Sequence, residues 1–88
     1  MGDMAEVFRE MRKDDQERRH RLAAEACGYL QTHGVPFRWD AGNLTIVVNT
    51  QRGRVQYWPS RRKWYSASLA QRGQGNPADF VQWVREKL

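Results

Sequence analysis

The spacing of apolar residues predicts a helix in the first third of the chain. Asp14, followed three residues later by Glu17, has the form of a capping box, which places the helix start near Asp15. Gly34 and Pro36 mark its end, because glycine favours the left-handed conformation that closes a helix and proline cannot continue one. The predicted buried face consists of residues at helical spacing: Leu22, Ala23, Ala26, Cys27 and Leu30.

Residues 1–13 are predicted to form an N-terminal arm, flexible or helical, in front of a single α+β domain that spans residues 14–88. The apolar residues of the arm recur at helical spacing: Met4, Val7, Phe8 and Met11. No apolar residue in 12–21 continues this stripe, so the arm is either separate or part of a continuous exposed helix supported by charge pairs. The sequence is compatible with a monomer and with a homodimer formed through the arm.

After the helix, the apolar period changes from about 3.6 to 2, which predicts β-strands. Apolar and polar residues alternate over 35–40, four of the five residues of 44–48 are β-branched, and alternation returns over 54–58. Turn residues separate these segments, so they predict an antiparallel meander of three strands, or of four if residues 63–67 pair as well. Residues 71–75 are polar and rich in glycine, which predicts a loop.

The last segment predicts a second helix. Asn76 suits the N-cap, Pro77 the first helical position and Asp79 the first turn. Its apolar face consists of Phe80, Val81, Trp83, Val84 and Leu88. Amphipathic helices at both ends of a meander predict an α+β fold in which both helices cover one face of the antiparallel sheet and leave the other face open.

Charge gives the first indication of function. The chain holds 15 Lys and Arg against 10 Asp and Glu, a formal net charge of +5. Residues 35–75 carry seven basic side chains and only Asp40 as an acid, a net charge of +6, whereas residues 1–34 sum to −1. A one-sided positive field of this kind attracts polyanions, nucleic acid first among them.

The same middle segment combines cations with aromatic residues. Cations close to a phosphate backbone supply most non-specific affinity, and flat aromatic rings stack on exposed bases. The predicted nucleic-acid-binding residues are Arg52, Arg54, Trp58, Arg61, Arg62, Lys63, Trp64 and Arg72. For each aromatic residue the alternative is a place in the core of a small sheet.

Residues suited to catalysis or metal binding are sparse. His20, Cys27 and His33 are the only imidazole and thiol groups, and no carboxylate completes a site with them. We therefore expect a non-catalytic protein without a metal or cofactor. The single cysteine excludes an intramolecular disulfide and is typical of a reducing cytoplasm. The sequence contains no run of about 18 apolar residues, so it predicts no membrane span.

Several segments of the C-terminal half resemble a loosely defined set of small phage and prophage proteins. They are the strand 44–48, Gln56-Tyr-Trp-Pro-Ser60, Lys63-Trp64, and Arg72-Gly-Gln-Gly75 ahead of the helical residues 80–84. Arg61 and Arg62 stand where that pattern usually has threonine or glycine, which makes this chain more basic at the turn. The resemblance covers half of the chain and implies a phage-encoded protein in the cytoplasm of a bacterial host.

Two functions fit these observations. The first is a nucleic-acid-binding accessory protein, for DNA or RNA. The alternative is a protein-interaction module, such as an inhibitor of a bacterial host protein, that presents its basic residues to an acidic surface. The order of helix, meander and helix also resembles that of double-stranded RNA-binding domains. Residues 76–79 lack the lysines that open the last helix of those domains, which argues against their way of binding RNA.

Overall fold

The computed structural model describes residues 3–88, and their side chains from Asp15 onward. It contains two helices and one five-stranded antiparallel sheet, whose strands lie side by side in chain order. The helices are α1 (Asp3–Thr32) and α2 (Pro77–Arg85), and the strands are β1 (Arg38–Asp40), β2 (Thr45–Thr50), β3 (Gly53–Trp58), β4 (Lys63–Ser66) and β5 (Gln71–Gln74). The α+β class is confirmed, and the sheet has one strand more than the largest number predicted.

Helix α1 is a single helix of 30 residues, longer than predicted. It continues through the predicted start near Asp15, whose carboxylate pairs with Arg18 at 3.1 Å and Arg19 at 2.8 Å, on the following turn. Such pairs support an exposed helix that has no apolar stripe. The side chains of the arm, with Met4 and Met11 among them, lie outside the described residues. The arm's boundary and its role in a homodimer therefore stay predictions.

The end of α1 is the Schellman motif that the sequence predicts. Gly34 has a φ of +69° and its N–H donates to the Gln31 carbonyl at 3.1 Å, while the Val35 N–H donates to the Leu30 carbonyl at 2.9 Å. Leu30 and Val35 are both buried in the core. The motif therefore stops the helix and starts the return of the chain toward β1 with one set of contacts.

The hydrophobic core lies between the two helices and one face of the sheet. Ile46 and Val48 of β2 lie opposite Tyr57 and Val55 of β3, and all four side chains are buried on this face. The core cluster is Ala26, Leu30, Val35, Ile46, Val48, Val55, Tyr57, Trp64, Phe80, Val81 and Val84. Since its strand residues share one face and its helical residues come from α1 and α2, both helices cover the same side of the sheet.

Four aromatic rings fill the part of the core between β3, β4 and α2. Phe80 stacks on Tyr57 with ring centroids 4.5 Å apart, and Trp64 lies 5.6 Å from Phe80 and 5.7 Å from Trp83. Burial raises the pKa of Tyr57 to about 12, so its hydroxyl stays protonated and donates to the Gly75 carbonyl at 3.0 Å. This bond attaches β3 to the segment that leads into α2.

Strand β5 replaces the loop that the glycine-rich segment predicts. Gly73 lies opposite Trp64 across the β4–β5 pair, and a Cβ at position 73 would come within 2.4 Å of the Trp64 indole. Only glycine at position 73 leaves room for the indole against this strand. The aromatic ring of Trp64 thus covers a glycine on the neighbouring strand. The residue that suggested a loop is therefore the one that allows the strand to pair.

Helix α2 begins where the sequence predicts. The Asn76 side chain accepts from the Asp79 N–H at 2.9 Å, the Asp79 carboxylate accepts from the Asn76 N–H at 3.0 Å, and Pro77 opens the first turn. These reciprocal bonds are a capping box, so they satisfy backbone donors that the helix itself leaves unpaired. The regular helix ends at Arg85, before Leu88.

We expect Gly73→Ala to destabilise the protein by about 1–3 kcal/mol, because the new methyl group overlaps the Trp64 indole. Gly28→Ala is the matched control: nothing lies within 4 Å of a Cβ there, and alanine in a helix is favoured over glycine by up to about 1 kcal/mol. Urea unfolding followed by tryptophan fluorescence measures both changes. Equal stabilities of the two variants would contradict the role assigned to Gly73.

Candidate nucleic-acid interface

The face of the sheet opposite the core, called the open face below, carries no helix among the described residues. Side chains alternate along a strand, so the strand register fixes which residues share this face. One row across all five strands consists of Arg38, Val47, Gln56, Tyr65 and Arg72. The next row includes Trp58, Lys63 and Gln74. The open face is therefore rich in cations, amides and aromatic rings.

Two aromatic rings of the open face each have a cation as a cross-strand neighbour. Tyr65 is 40% exposed and lies opposite Arg72, while Trp58 is half-buried and lies opposite Lys63. Side chains directly opposite each other in an antiparallel pair lie close enough to touch. Each ring surface thus has a positive group beside it, which is the combination that a nucleotide requires.

These four residues border a groove of about 690 Å³ on the open face. The remaining residues that border it are Arg61, Trp64, Gly73 and Gln74. Its volume lies within the range of about 300–1,000 Å³ that is usual for ligand sites. The groove therefore combines the two open-face rings with the cations of Arg61, Lys63 and Arg72.

The β3–β4 turn places Arg61 at the groove. The Arg61 N–H donates to the Trp58 carbonyl at 3.1 Å, which closes the turn, and the next residue, Arg62, has a φ of +53°. This left-handed conformation is uncommon for a residue with a side chain. The Arg62 carbonyl accepts from the Gly75 N–H at 2.8 Å. As a result Arg61 and Lys63 border the groove and Arg62 does not.

The cations of the open face have no carboxylate partner among the described side chains, whose ion pairs join Asp15 to Arg18 and Arg19. Asp40, at the end of β1, accepts hydrogen bonds from the side chain and N–H of Asn43 and from the N–H of Gly42. These bonds, the one from the Asn43 side chain above all, lower the pKa of Asp40. Asp40 therefore stays ionised, with its carboxylate hydrogen-bonded to the adjacent turn, and the charge of Arg38 also lowers its pKa.

Most of the predicted binding residues come together, although not all. Trp58, Arg61, Lys63 and Arg72 border the groove, and Arg54 lies further along β3 on the same face. By contrast Arg52 lies in the β2–β3 turn and Arg62 lies outside the border of the groove. Of the predicted set, two aromatic residues, Trp58 and Trp64, and three cations therefore border the groove.

Trp64 does not belong to the accessible part of this surface. Its indole lies on the core side, 6% exposed, against Phe80 and Trp83. This placement leaves no ring face for a base, so Trp64 is removed from the predicted stacking residues. For Trp64, the alternative role as a core residue is therefore the one that the structure shows.

Tyr65 and Arg38 are open-face residues that the sequence reasoning did not assign to the site. The signal for Tyr65 is the alternation of β4: Tyr65 shares the face of Lys63, two positions earlier, and Lys63 pairs with Trp58. Arg38 precedes Trp39, and Trp39 packs against the core, which places Arg38 on the other face. Both assignments require knowing which residues of a strand face the core, and the composition of the strand does not give this information.

Comparison of the chain with protein-family models, curated proteins and solved structures finds no match. Among the described residues, no group of His, Cys, Asp and Glu side chains is placed to hold a metal ion. No described helix is long and apolar enough to cross a membrane. Burial raises the pKa of the Cys27 thiol, which is the opposite of what activates a cysteine nucleophile.

We expect the neighbouring residues Trp64 and Tyr65 to differ sharply when truncated. Trp64→Ala removes a ring packed against Phe80 and Trp83 and should cost about 3–5 kcal/mol, much of the stability of a domain of this size. Tyr65→Ala removes a ring that is 40% exposed and should cost less than about 1 kcal/mol. Thermal unfolding followed by circular dichroism measures both. The reverse order of stabilities would show that β4 has the opposite phase.

Proposed function

We propose that this protein binds nucleic acid on the open face of its sheet and acts as a non-catalytic accessory protein. The observation that carries the proposal is the groove in which the rings of Trp58 and Tyr65 lie beside Arg61, Lys63 and Arg72. Cations neutralise phosphates whatever the base sequence, and aromatic rings stack on bases of any kind. A groove that offers both groups suits a ligand that carries both phosphate and base.

The distribution of charge supports a polyanion as the ligand. Residues 35–75, which include the whole sheet, carry a net charge of +6, and residues 1–34, which include α1, carry −1. Among the described side chains, the cations of the open face have no ion-pair partner, which leaves a positive charge on that face. A field with this asymmetry steers an approaching polyanion to one side of the molecule.

The number of open-face cations sets the expected dependence on salt. They are Arg38, Arg54, Arg61, Lys63 and Arg72. Each phosphate contact contributes a slope of about −0.7 for single strands or −0.9 for duplexes in a plot of log affinity against log salt. If all of them contact phosphates, we expect a slope between about −3.5 and −4.5.

The alternative function is a protein-interaction module. Strand β5 is the last strand of the sheet, and its outer edge has no partner strand among the described residues. Such an edge accepts an extended peptide as an additional strand. The aromatic groove favours nucleic acid over this alternative, because strand addition uses backbone groups and does not need the groove. The resemblance to phage and prophage proteins would place either activity in the cytoplasm of a bacterial host.

The double variant Arg61→Ala/Lys63→Ala tests the proposed site. Both side chains border the groove, so we expect affinity for DNA or RNA to fall and the salt slope to flatten by about 1.4–1.8. Fluorescence anisotropy of labelled oligonucleotides, titrated over a series of salt concentrations, measures both quantities. Both residues are exposed, so the melting temperature should change little.

Arg18→Ala/Arg21→Ala is the matched control, since it removes the same charge from exposed positions on α1. We expect it to keep the salt slope of the parent protein. Equal losses in the two double variants would show that net charge acts without a site. Absence of binding to DNA and RNA at about 50 mM salt would exclude the proposed function. A pull-down from nuclease-treated bacterial lysate would then test the protein-interaction alternative.

A further inference from the structure

We infer that the ligand of the open face is a single strand, DNA or RNA, and that it runs from the groove past Trp58 to Arg19 on α1. The inference rests on the proposed function. It adds the form of the nucleic acid and the path that it follows. Its basis is a second cavity beside the groove, together with the spacing of the two open-face rings.

The second cavity has a volume of about 240 Å³ and joins the sheet to α1. It is bordered by Arg19, Asn43, Leu44, Trp58, Ser60 and Arg61. Trp58 and Arg61 border the groove as well, so the two cavities meet at these residues. A ligand longer than the groove can therefore continue into the second cavity without leaving the protein surface.

The residues of the second cavity suit a phosphate. Arg19 and Arg61 supply cations from two different elements, and Ser60 and Asn43 supply polar side chains. Arg19 pairs with Asp15 at 2.8 Å, but both side chains are more than one-third exposed. Exposed ion pairs are weak, so Arg19 can exchange the Asp15 carboxylate for a phosphate at little cost.

The spacing of the rings favours unstacked bases. Trp58 of β3 lies opposite Lys63 of β4, and Tyr65 follows Lys63 by two positions in β4. Trp58 and Tyr65 are therefore diagonal neighbours on one face of the sheet. The backbones at such diagonal positions lie about 7–8 Å apart, roughly twice the 3.4 Å that separates successive nucleotides of one strand in a duplex. Two rings attached at this spacing suit successive bases that are not stacked on each other.

The shape of the surface also favours a single strand. Bases inside a duplex present only their edges, so they cannot stack on Tyr65 or Trp58. A duplex would contact the cations around the groove and leave both rings unused. A single strand instead offers unpaired bases on a continuous phosphate backbone, and the path provides groups for both: the rings of Tyr65 and Trp58, and the arginines of the second cavity.

The experiment compares one labelled sequence as single-stranded DNA, as single-stranded RNA and as duplex DNA. At equal salt we expect at least one single-stranded probe to bind about tenfold more tightly than the duplex. Tyr65→Ala should weaken single-strand binding about tenfold and leave duplex binding unchanged, because only an unpaired base stacks on the ring. Fluorescence anisotropy with the full chain provides all of these affinities.

The path is tested with Arg19→Ala against Arg18→Ala. Both arginines pair with Asp15 and lose the same charge, but only Arg19 borders the second cavity. For a single strand of about twelve nucleotides, we expect Arg19→Ala to flatten the salt slope by about 0.7 and Arg18→Ala to leave it unchanged. For one of about four nucleotides, which fits the groove, neither variant should differ from the parent.

The outcomes separate this inference from the proposed function. Duplex binding as tight as single-strand binding would overturn the inference, while a weakened Arg61→Ala/Lys63→Ala variant would still support the open face as the site. Equal losses in Arg18→Ala and Arg19→Ala would overturn the path across Trp58. Failure of all three probes to bind the parent protein would overturn the inference and the proposed function together.

Discussion

The packing of the Trp64 indole against Gly73, Phe80 and Trp83 determines the arrangement of the C-terminal half. It turns Trp64 toward the core, so the next residue of β4, Tyr65, must point to the opposite face. It allows β5 to pair, since a side chain at position 73 would collide with the ring. It also holds α2 on the core side. One interaction thus builds the core and exposes the surface that we propose as functional.

The proposed binding surface follows from this packing because a small domain has only one core. Both amphipathic helices bury their apolar residues on the same side of the sheet. The second side carries charged, amide and aromatic residues, with Val47 buried among them. Pairing of β5 adds Arg72 and Gln74 to that side, and the β3–β4 turn adds Arg61. Aromatic and cationic groups of β3, β4, β5 and the β3–β4 turn therefore meet in one groove.

The sequence predicts those features that depend on local chemistry. Gly34 and Asn76 mark the two helix ends because a left-handed residue and a capping side chain act within one turn of chain. The capping pattern at Asp14 and Glu17 does not start a helix, because polar pairs along α1 let the helix continue through it. The same local pattern can therefore occur at the start of a helix or inside one.

The features that the sequence does not predict depend on contacts between segments. A glycine in a polar stretch indicates a loop until Trp64 is known to cover it, which is why β5 is missed. In Lys63-Trp64-Tyr65 two aromatic residues are adjacent, and alternation alone does not say which of them faces the core. The predicted cations needed no such information, since exposed charge is expected on the surface whatever the phase of the strand.

The most direct test of the open face as the binding surface is the change in backbone amide NMR shifts when isotope-labelled protein is titrated with a single-stranded oligonucleotide. We expect the largest changes at Trp58, Lys63, Tyr65 and Arg72, which lie in β3, β4 and β5, and small changes throughout α2. Changes centred on α2, with the strands unaffected, would contradict the account.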